Sequence, residues 1–408
     1  MSEKKPYSFS GYEKEFGLAT QESPAKLEKS EEQLFIGVPK ENSFQEKRIA
    51  LTPESVEILV SHGHRVLIES NAGKGANFTD RDFTEVGAEI AYDAKKVFEA
   101  DIILKVAPPC KEEIDLLKHN QFLISPLHLP TIQDGFIPAL MKKKVTALAL
   151  EYIKDESGTF PFVRSMSEIA GSTVMLLAAE LLSNTHNGAG ILLGGISGVP
   201  PAKVVVLGAG VVGEFAVNTA LGLGANVKVF DNNIYKLMRL QNDVGQRLFT
   251  CSLFPNVLAK ELETADVVIG AIHSESGRSP LIVTEDMVAN MKDGSVIVDV
   301  SIDQGGIFET SEVTSHQNPT FTKYGVIHYC VPNIASRVAR TSSYAMSNVL
   351  TSNLLKAIEL GGVEQYLHRD VVSRNGIYIY KGCLTNKHLA DRFDLKYTNI
   401  DLLFTSGM

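Results

Sequence analysis

The stretch KVVVLGAGVVGEFA, residues 203–216, decides the reading of the fold. The apolar run through Leu207 has the composition of a strand buried on both faces, and a helical pattern starts at Val211. Between them Gly208, Gly210 and Gly213 stand in G-x-G-x-x-G spacing, and each has a mechanical task. Gly208 permits the tight turn, Gly210 removes a Cβ from the path of a pyrophosphate, and Gly213 lets the helix pack closely on the strand. The pyrophosphate is expected on the free amides around Val211 and Val212, where the helix dipole favours an anion. About 20 residues on, Asp231 follows the strand NVKVF, placed to accept hydrogen bonds from both ribose hydroxyls of a nicotinamide dinucleotide. A carboxylate there repels a 2′-phosphate, so NAD is expected over NADP. Lys236, one turn later, is the cation within reach of a phosphate.

Outward from this turn the chain alternates strand and helix on both sides. Downstream lie the helix from 211 to about 222, NVKVFD, a helix around 236–240, RLFTCSL, ADVVIGAI and SVIVDVSID. Upstream, a glycine-rich segment (188–201) and a helical stretch (166–182) precede the turn. A second alternating set comes before them: LFIGV, PESVEILVSHG, RVLIE, TDRDFTEVG, DIILKV, KEEIDLLK, QFLISPL, DGFIPALMKKK and VTALALEYI. Such alternation means parallel sheets covered on both faces. The fold class is therefore α/β, with two doubly wound parallel-sheet domains, the second a Rossmann NAD-binding domain. The expected division is an N-terminal arm (1–33), a discontinuous substrate domain (34–163 plus 340–408) and the NAD-binding domain (164–339). The helix SYAMSNVLTSNLLKAIEL (343–360) should return to the first domain, and the segment after it reads as a mixed tail of unassigned purpose.

Length and composition agree. At roughly 150 residues per domain, 408 residues suggest two or three domains. With 39 basic and 48 acidic residues, the net charge of -9 argues against nucleic acid or an anionic membrane as partner. The longest apolar stretch is interrupted by Gly, Pro and Lys203, and the N-terminus has no hydrophobic signal core, so a cytoplasmic protein is expected. Cys110, Cys251, Cys330 and Cys383 are far apart, which suggests reduced thiols and no metal site.

Three polar residues of the first domain stand beyond the ends of successive strands: Arg48 after LFIGV, Lys105 at the end of DIILK and His128 after QFLISPL. In an open parallel sheet such positions line one crevice, the usual ligand site. Arg48 can grip a carboxylate bidentately, Lys105 its other oxygen or a neighbouring carbonyl, and His128 can exchange a proton with the reacting oxygen. In the second domain, strand alternation through SVIVDVSIDQGG (295–306) puts Asp299, Ser301 and Asp303 on one face. Asp303 is then expected at the cleft as a proton-exchanging carboxylate and Asp299 as a structural one. His328 and Asn333 are expected near the nicotinamide side.

These motifs, together with GVPKENSFQEKRIALTP, ILKV, PLHLP, MSEIAG, GGISGVPPAKVVVLGAGVVG, DGSVIVDVSIDQGGIFETS, HYCVPN and RTSSYAMSN, resemble the alanine dehydrogenase family in order and spacing from about 35 to 359. The resemblance implies reversible, NAD-dependent oxidative deamination of L-alanine to pyruvate and ammonium. It implies that Arg48 and Lys105 hold the carboxylate and carbonyl of the substrate and that His128 and Asp303 form the acid/base pair. It also implies that Ser167, Asp231, Lys236, Ile272, Val300, Asn333 and the stretch around Val211 contact NAD, in a homohexamer. The longer arm, the tail after Gly362, Pro332, the segment NIASRVART and Glu312 depart from the family pattern near the cofactor and the cleft rim. Three alternatives stay open: a relative of saccharopine or carboxyethyl-amino-acid type, a transhydrogenase-like NAD-binding subunit, and a catalytically silent NAD sensor.

Overall fold

The computed structural model describes residues 33–405 except 44, 130, 131, 133, 156, 275, 276 and 371–373. All but the last residue of the expected N-terminal arm lies outside the described residues. The chain builds two sheets. The first contains β1 (Phe35–Val38), β2 (Arg65–Glu69), β3 (Glu89–Ala91), β4 (Ile102–Leu104), β5 (Phe122–Ser125) and β6 (Thr146–Ala149). The second contains β7 (Lys203–Leu207), β8 (Asn226–Phe230), β9 (Phe249–Cys251), β10 (Val267–Gly270), β11 (Val296–Asp299), β12 (Thr320–Lys323) and β13 (Val326–Tyr329). Two further strands, β14 (Ile377–Tyr380) and β15 (Cys383–Leu384), return to the first sheet.

The strand orders are β15-β14-β6-β5-β4-β1-β2-β3 and β12-β13-β11-β10-β7-β8-β9. In each sheet the first strand pairs in parallel with both its successor and the fourth, so the chain reverses direction across the sheet there. Such reversals open a crevice beyond the strand ends. Arg48 and Lys105 follow β1 and β4, which flank the reversal of the first sheet. The glycine turn and Ile272 follow β7 and β10, which flank that of the second. The central strands are almost wholly buried, as continuous runs of Val, Ile and Leu require when helices cover both faces.

Two long helices tie the halves together. The helix Pro161–Leu181 starts at a proline, whose fixed φ suits the first helical position, five residues earlier than the apolar pattern suggests. It lies on the helix Val211–Gly222, and a Cβ on Gly171 would stand 2.4 Å from the Val212 carbonyl, so only glycine permits this approach. The helix Ala339–Glu359 contributes Met346, Leu350 and Leu354 to the same core as Ile36 and Leu104 of the first sheet. Each such side chain stabilises by about 1.5–3 kcal/mol, which fixes this helix to the first sheet.

The structure departs from expectation in further places. The short strand β3 and the antiparallel pair β12 and β13 were not anticipated. The tail is ordered into structure: β14 pairs antiparallel with β6, and the Ala149 N–H donates to the Gly376 carbonyl. The strand through SVIVDVSID ends at Asp299, and Val300–Gln304 form a 3-10 turn. Asp299 starts that turn by accepting the Ser301 N–H at 3.0 Å, so period-two alternation does not place Asp303.

Candidate active site between the two sheets

Two of the three glycines in the turn carry out the tasks their spacing assigns. Gly208 has φ +113°, and a Cβ there would lie 2.4 Å from the Ala271 carbonyl. On Gly213 it would lie 1.9 Å from the Gly208 carbonyl, whereas on Gly210 it would meet no atom within 4 Å. Gly208 and Gly213 thus serve the fold, and Gly210 leaves open space at the N-terminus of the helix Val211–Gly222, whose first amides no N-cap side chain satisfies. Asp231 spans the adjoining edge: its two oxygens accept the Ala209 and Asn233 N–H groups, both at 2.7 Å. That fixes the plane of the carboxylate and leaves each oxygen a further lone pair. Lys236 is exposed in the first turn of the helix Ile234–Val244. Ile272 is held by reciprocal hydrogen bonds with the Ser301 hydroxyl, which accepts its N–H at 3.1 Å and donates to its carbonyl at 2.8 Å. Ser167 and Val300 are partly exposed, and the residues at this turn fit a dinucleotide through the open space at Gly210 and the anchored Asp231 carboxylate.

On the first sheet, Arg48 is buried and paired with Glu46 through two hydrogen bonds, Nε to Oε1 at 2.8 Å and Nη2 to Oε2 at 2.6 Å. Its Nη1 donates to Met166 Sδ at 3.3 Å. Burial alone would raise the Glu46 carboxyl, but the guanidinium outweighs it and the group lies below its ordinary value. Lys105, 1% exposed, donates to Glu41 Oε2 at 2.8 Å and Glu113 Oε1 at 2.9 Å. Burial works against its charge, yet the two carboxylates outweigh it and raise the ammonium. Glu41 is itself raised, first by burial and also by Glu113, against the pull of Lys105. One ammonium does not fully compensate two enclosed carboxylates.

His128 is half-buried and adopts φ +45°, a left-handed conformation costly for a non-glycine residue. Glu151 holds the turn by accepting the Leu127 N–H at 2.8 Å and the His128 N–H at 2.9 Å. Asp303, in the turn after β11 of the second sheet, lies within electrostatic reach of His128 and Arg48. Enclosure by protein raises its carboxyl, while His128, the Asn333 N–H and Arg48 oppose the rise. Asp303 keeps contact with water at the cleft surface, which limits the effect of that enclosure. Asn333, at φ +57°, donates from Nδ2 to Glu46 Oε2 at 3.0 Å, across the cleft.

Arg48, His128, Asp303 and Asn333 therefore converge, and Lys105 stands on the adjacent strand end. His328 does not join them. It is fully buried, bonded to Thr310 Oγ1 at 2.8 Å and stacked on Phe321, a structural role. Asp299 is buried as well, and its oxygens accept the Ser301 and Ile307 N–H groups and the Ser311 hydroxyl. Sequence reasoning missed Glu41, Glu46, Glu113 and Glu151. The only available signal was the crowding of Glu41, Glu46 and Arg48 in one loop after β1.

Comparison with known proteins accounts for most of the chain. The family described as "Alanine dehydrogenase/PNT, N-terminal domain" matches residues 37–170, and "Alanine dehydrogenase/PNT, C-terminal domain" matches 174–387. The second match carries the likeness into the tail beyond Gly362, which the sequence reading had left unplaced. "Alanine dehydrogenase 2" of Staphylococcus aureus (strain USA300) is 39% identical over 367 residues, 90% of this chain and 98% of that protein. Among solved structures, an "L-alanine dehydrogenase" superposes with TM-score 0.83 at 37% identity, covering 88% of this chain and 99% of that one. A transhydrogenase from Sinorhizobium meliloti superposes with TM-score 0.74 at 25% identity, covering 86% and 99%.

Proposed function

The chain belongs to the alanine dehydrogenase/PNT family, and from that premise we propose that it catalyses the NAD-dependent, reversible oxidative deamination of L-alanine. L-alanine, NAD and water yield pyruvate, ammonium, NADH and a proton. What supports this reading is that Asp303 of the second sheet lies within electrostatic reach of His128 and Arg48 of the first, and that Gly210 leaves open space in the glycine turn.

NAD, when bound, accepts hydride from the substrate Cα. Every other task falls to the chain. Arg48 binds the substrate carboxylate through the guanidinium edge that Glu46 leaves open, and Lys105 holds the neighbouring oxygen with its remaining N–H. His128 and Asp303 move the protons as water adds to the imine and ammonia departs. Ser167, Val211, Val212, Asp231, Lys236, Ile272, Val300 and Asn333 line the dinucleotide, with Gly208, Gly210 and Gly213 shaping the turn. Residues 34–163 plus 340–408 serve as the substrate domain, 164–339 as the NAD-binding domain, and closure between them excludes bulk solvent while keeping the one water that adds to the imine.

We also propose a homohexamer, as the family resemblance implies, and a cytoplasmic location, to which the four free cysteines are suited. Among the described residues no helix is long and apolar enough to cross a membrane. The test follows absorbance of NADH with alanine plus NAD, then with pyruvate plus ammonium, and then with a panel of larger amines. Turnover is expected with ammonium and lost by at least about a hundredfold in His128→Ala and Asp303→Asn, with NADH binding retained. Turnover only with a large amine, or full activity in both variants, refutes the reading. Sedimentation velocity checks the hexamer.

A further inference from the structure

We infer that Glu46 is a positioning residue that fixes the substrate-gripping edge of Arg48 and ties it to the cofactor-side loop. The inference rests on the proposed dehydrogenase reading and deepens it.

A guanidinium offers two bidentate edges, one through Nε and Nη2 and one through Nη1 and Nη2. Glu46 occupies the first completely, at 2.8 and 2.6 Å. Glu46 leaves the second edge for an incoming carboxylate, with Nη1 also donating to Met166 Sδ at 3.3 Å, and the plane of that edge is set by Glu46. The carboxylate is itself immobilised. It is 3% exposed, and Oε1 also accepts the Lys47 and Arg48 backbone N–H groups at 3.1 and 3.0 Å. Its other oxygen accepts Asn333 Nδ2 at 3.0 Å, and the Ser336 hydroxyl reaches Oε1 at 3.4 Å. Ser336 also donates to the Gln45 carbonyl at 3.0 Å, which ties the loop after β1 to residues 333–336 a second time.

One buried carboxylate thus joins the residue that grips the substrate to a left-handed residue of the NAD-binding half. A displacement of Asn333 on the cofactor side acts on the Arg48 plane through a single shared oxygen. Since the reacting carbon must sit against the nicotinamide, a clamp referenced to the cofactor loop supplies alignment that a free arginine lacks.

Two variants separate positioning from simple charge balance. Glu46→Gln keeps the size but turns an NH₂ toward donors and removes the charge. Glu46→Asp keeps the charge but shortens the arm, so it no longer reaches Arg48 and Asn333 together. Positioning predicts that both raise the KM for pyruvate and for alanine by roughly ten- to a hundredfold, the loss of one or two charge-assisted hydrogen bonds. NADH affinity, read by fluorescence titration, stays within about threefold of wild type, or about 0.65 kcal/mol. A purely electrostatic role instead predicts that Glu46→Gln lowers the KM by unmasking Arg48 while Glu46→Asp leaves it unchanged. That result overturns the inference, as does an unchanged KM in both variants. Parallel loss of NADH binding and thermal stability in both, with the KM of the folded fraction unchanged, would mark Glu46 as structural and also overturn it. Wild-type protein that fails to turn over alanine refutes the function itself, so the two failures are distinct.

Discussion

The glycine turn yields a prediction in which two neighbouring substitutions have opposite signatures. Gly210 sits at φ −76° and ψ −171°, a conformation open to any residue, and an added Cβ meets nothing within 4 Å. In the free protein Gly210→Ala removes unfolded-chain entropy, a gain of about 0.4–1 kcal/mol. It also places a poorer residue at a helix N-cap, a loss of similar size. Stability should change by less than about 1 kcal/mol. The methyl group occupies the space assigned to the pyrophosphate, and a steric intrusion of this kind costs about 1–3 kcal/mol, so NADH affinity should fall by roughly a hundredfold. At an NADH concentration a hundred times the wild-type Kd, wild type gains about 2.7 kcal/mol from the ligand, and the variant, then at its own Kd, gains about 0.4 kcal/mol. Thermal melts with and without NADH read both quantities. In Gly213→Ala the new Cβ lies 1.9 Å from a backbone oxygen and has no flexible neighbour to displace, so the free protein itself should melt lower. Wild-type NADH affinity in Gly210→Ala would refute the assignment of that space to the cofactor.

Two further outcomes follow from the buried charges. Lys105→Met leaves Glu41 and Glu113 without their shared ammonium and should cost about 3–5 kcal/mol in urea unfolding; adding Glu41→Gln should recover part of that loss, and an undiminished midpoint in the single variant would contradict the ion triad. Burial raises the Asp299 carboxyl from its ordinary 3.8 to about 6, against the pull of Ser311 and the Ile307 and Ser301 amides. The folded protein then binds this proton more tightly than the unfolded chain, so its contribution is full below 3.8 and declines as pH rises toward about 6. That component is about 3 kcal/mol, and Asp299→Asn should flatten the stability profile across that window, whereas superimposable slopes would show that Asp299 does not titrate there.

Much of the fold was legible because buried parallel strands are continuous aliphatic runs and because the glycine turn announces its own geometry. Residues 203–231 read from sequence as they fold. The failures are local and physical. VIVDVSID continues a period-two pattern past Asp299, but that carboxylate caps a 3-10 turn and ends the strand, so Asp303 reaches the cleft by a different route. The strands β14 and β15 are short and antiparallel, and nothing in their own residues identifies β6 as their neighbour. His328 looked functional because a histidine at a strand end often is, yet Thr310 and Phe321 satisfy it within the core. The carboxylate partners of Arg48 and Lys105 were invisible because ion pairing in a loop is decided only once β1, β4 and the helix Lys111–Leu116 have come together.

Those hidden partners change how the site must hold its substrate. Arg48 and Lys105, read as sequence, are two cations beyond the ends of successive strands, placed to grip a carboxylate. In the structure they stand among Glu41, Glu46 and Glu113, all enclosed, so the cations bring no net positive charge to the recess. Coulomb attraction at long range is therefore cancelled, and what the proposed mechanism can use is directional: the guanidinium edge that Glu46 leaves, the third ammonium N–H of Lys105, and His128 and Asp303 from opposite sheets. Such a clamp discriminates by the placement of hydrogen bonds around a small carboxylate more than by charge. On the proposed reading it also surrenders little binding energy to the ground state, because each cation already has a partner, and alignment of the Cα with the cofactor is the larger source of rate. The carboxylates that neutralise the clamp are the same groups that hold it rigid, so weak attraction and precise orientation in this cleft have a common structural cause.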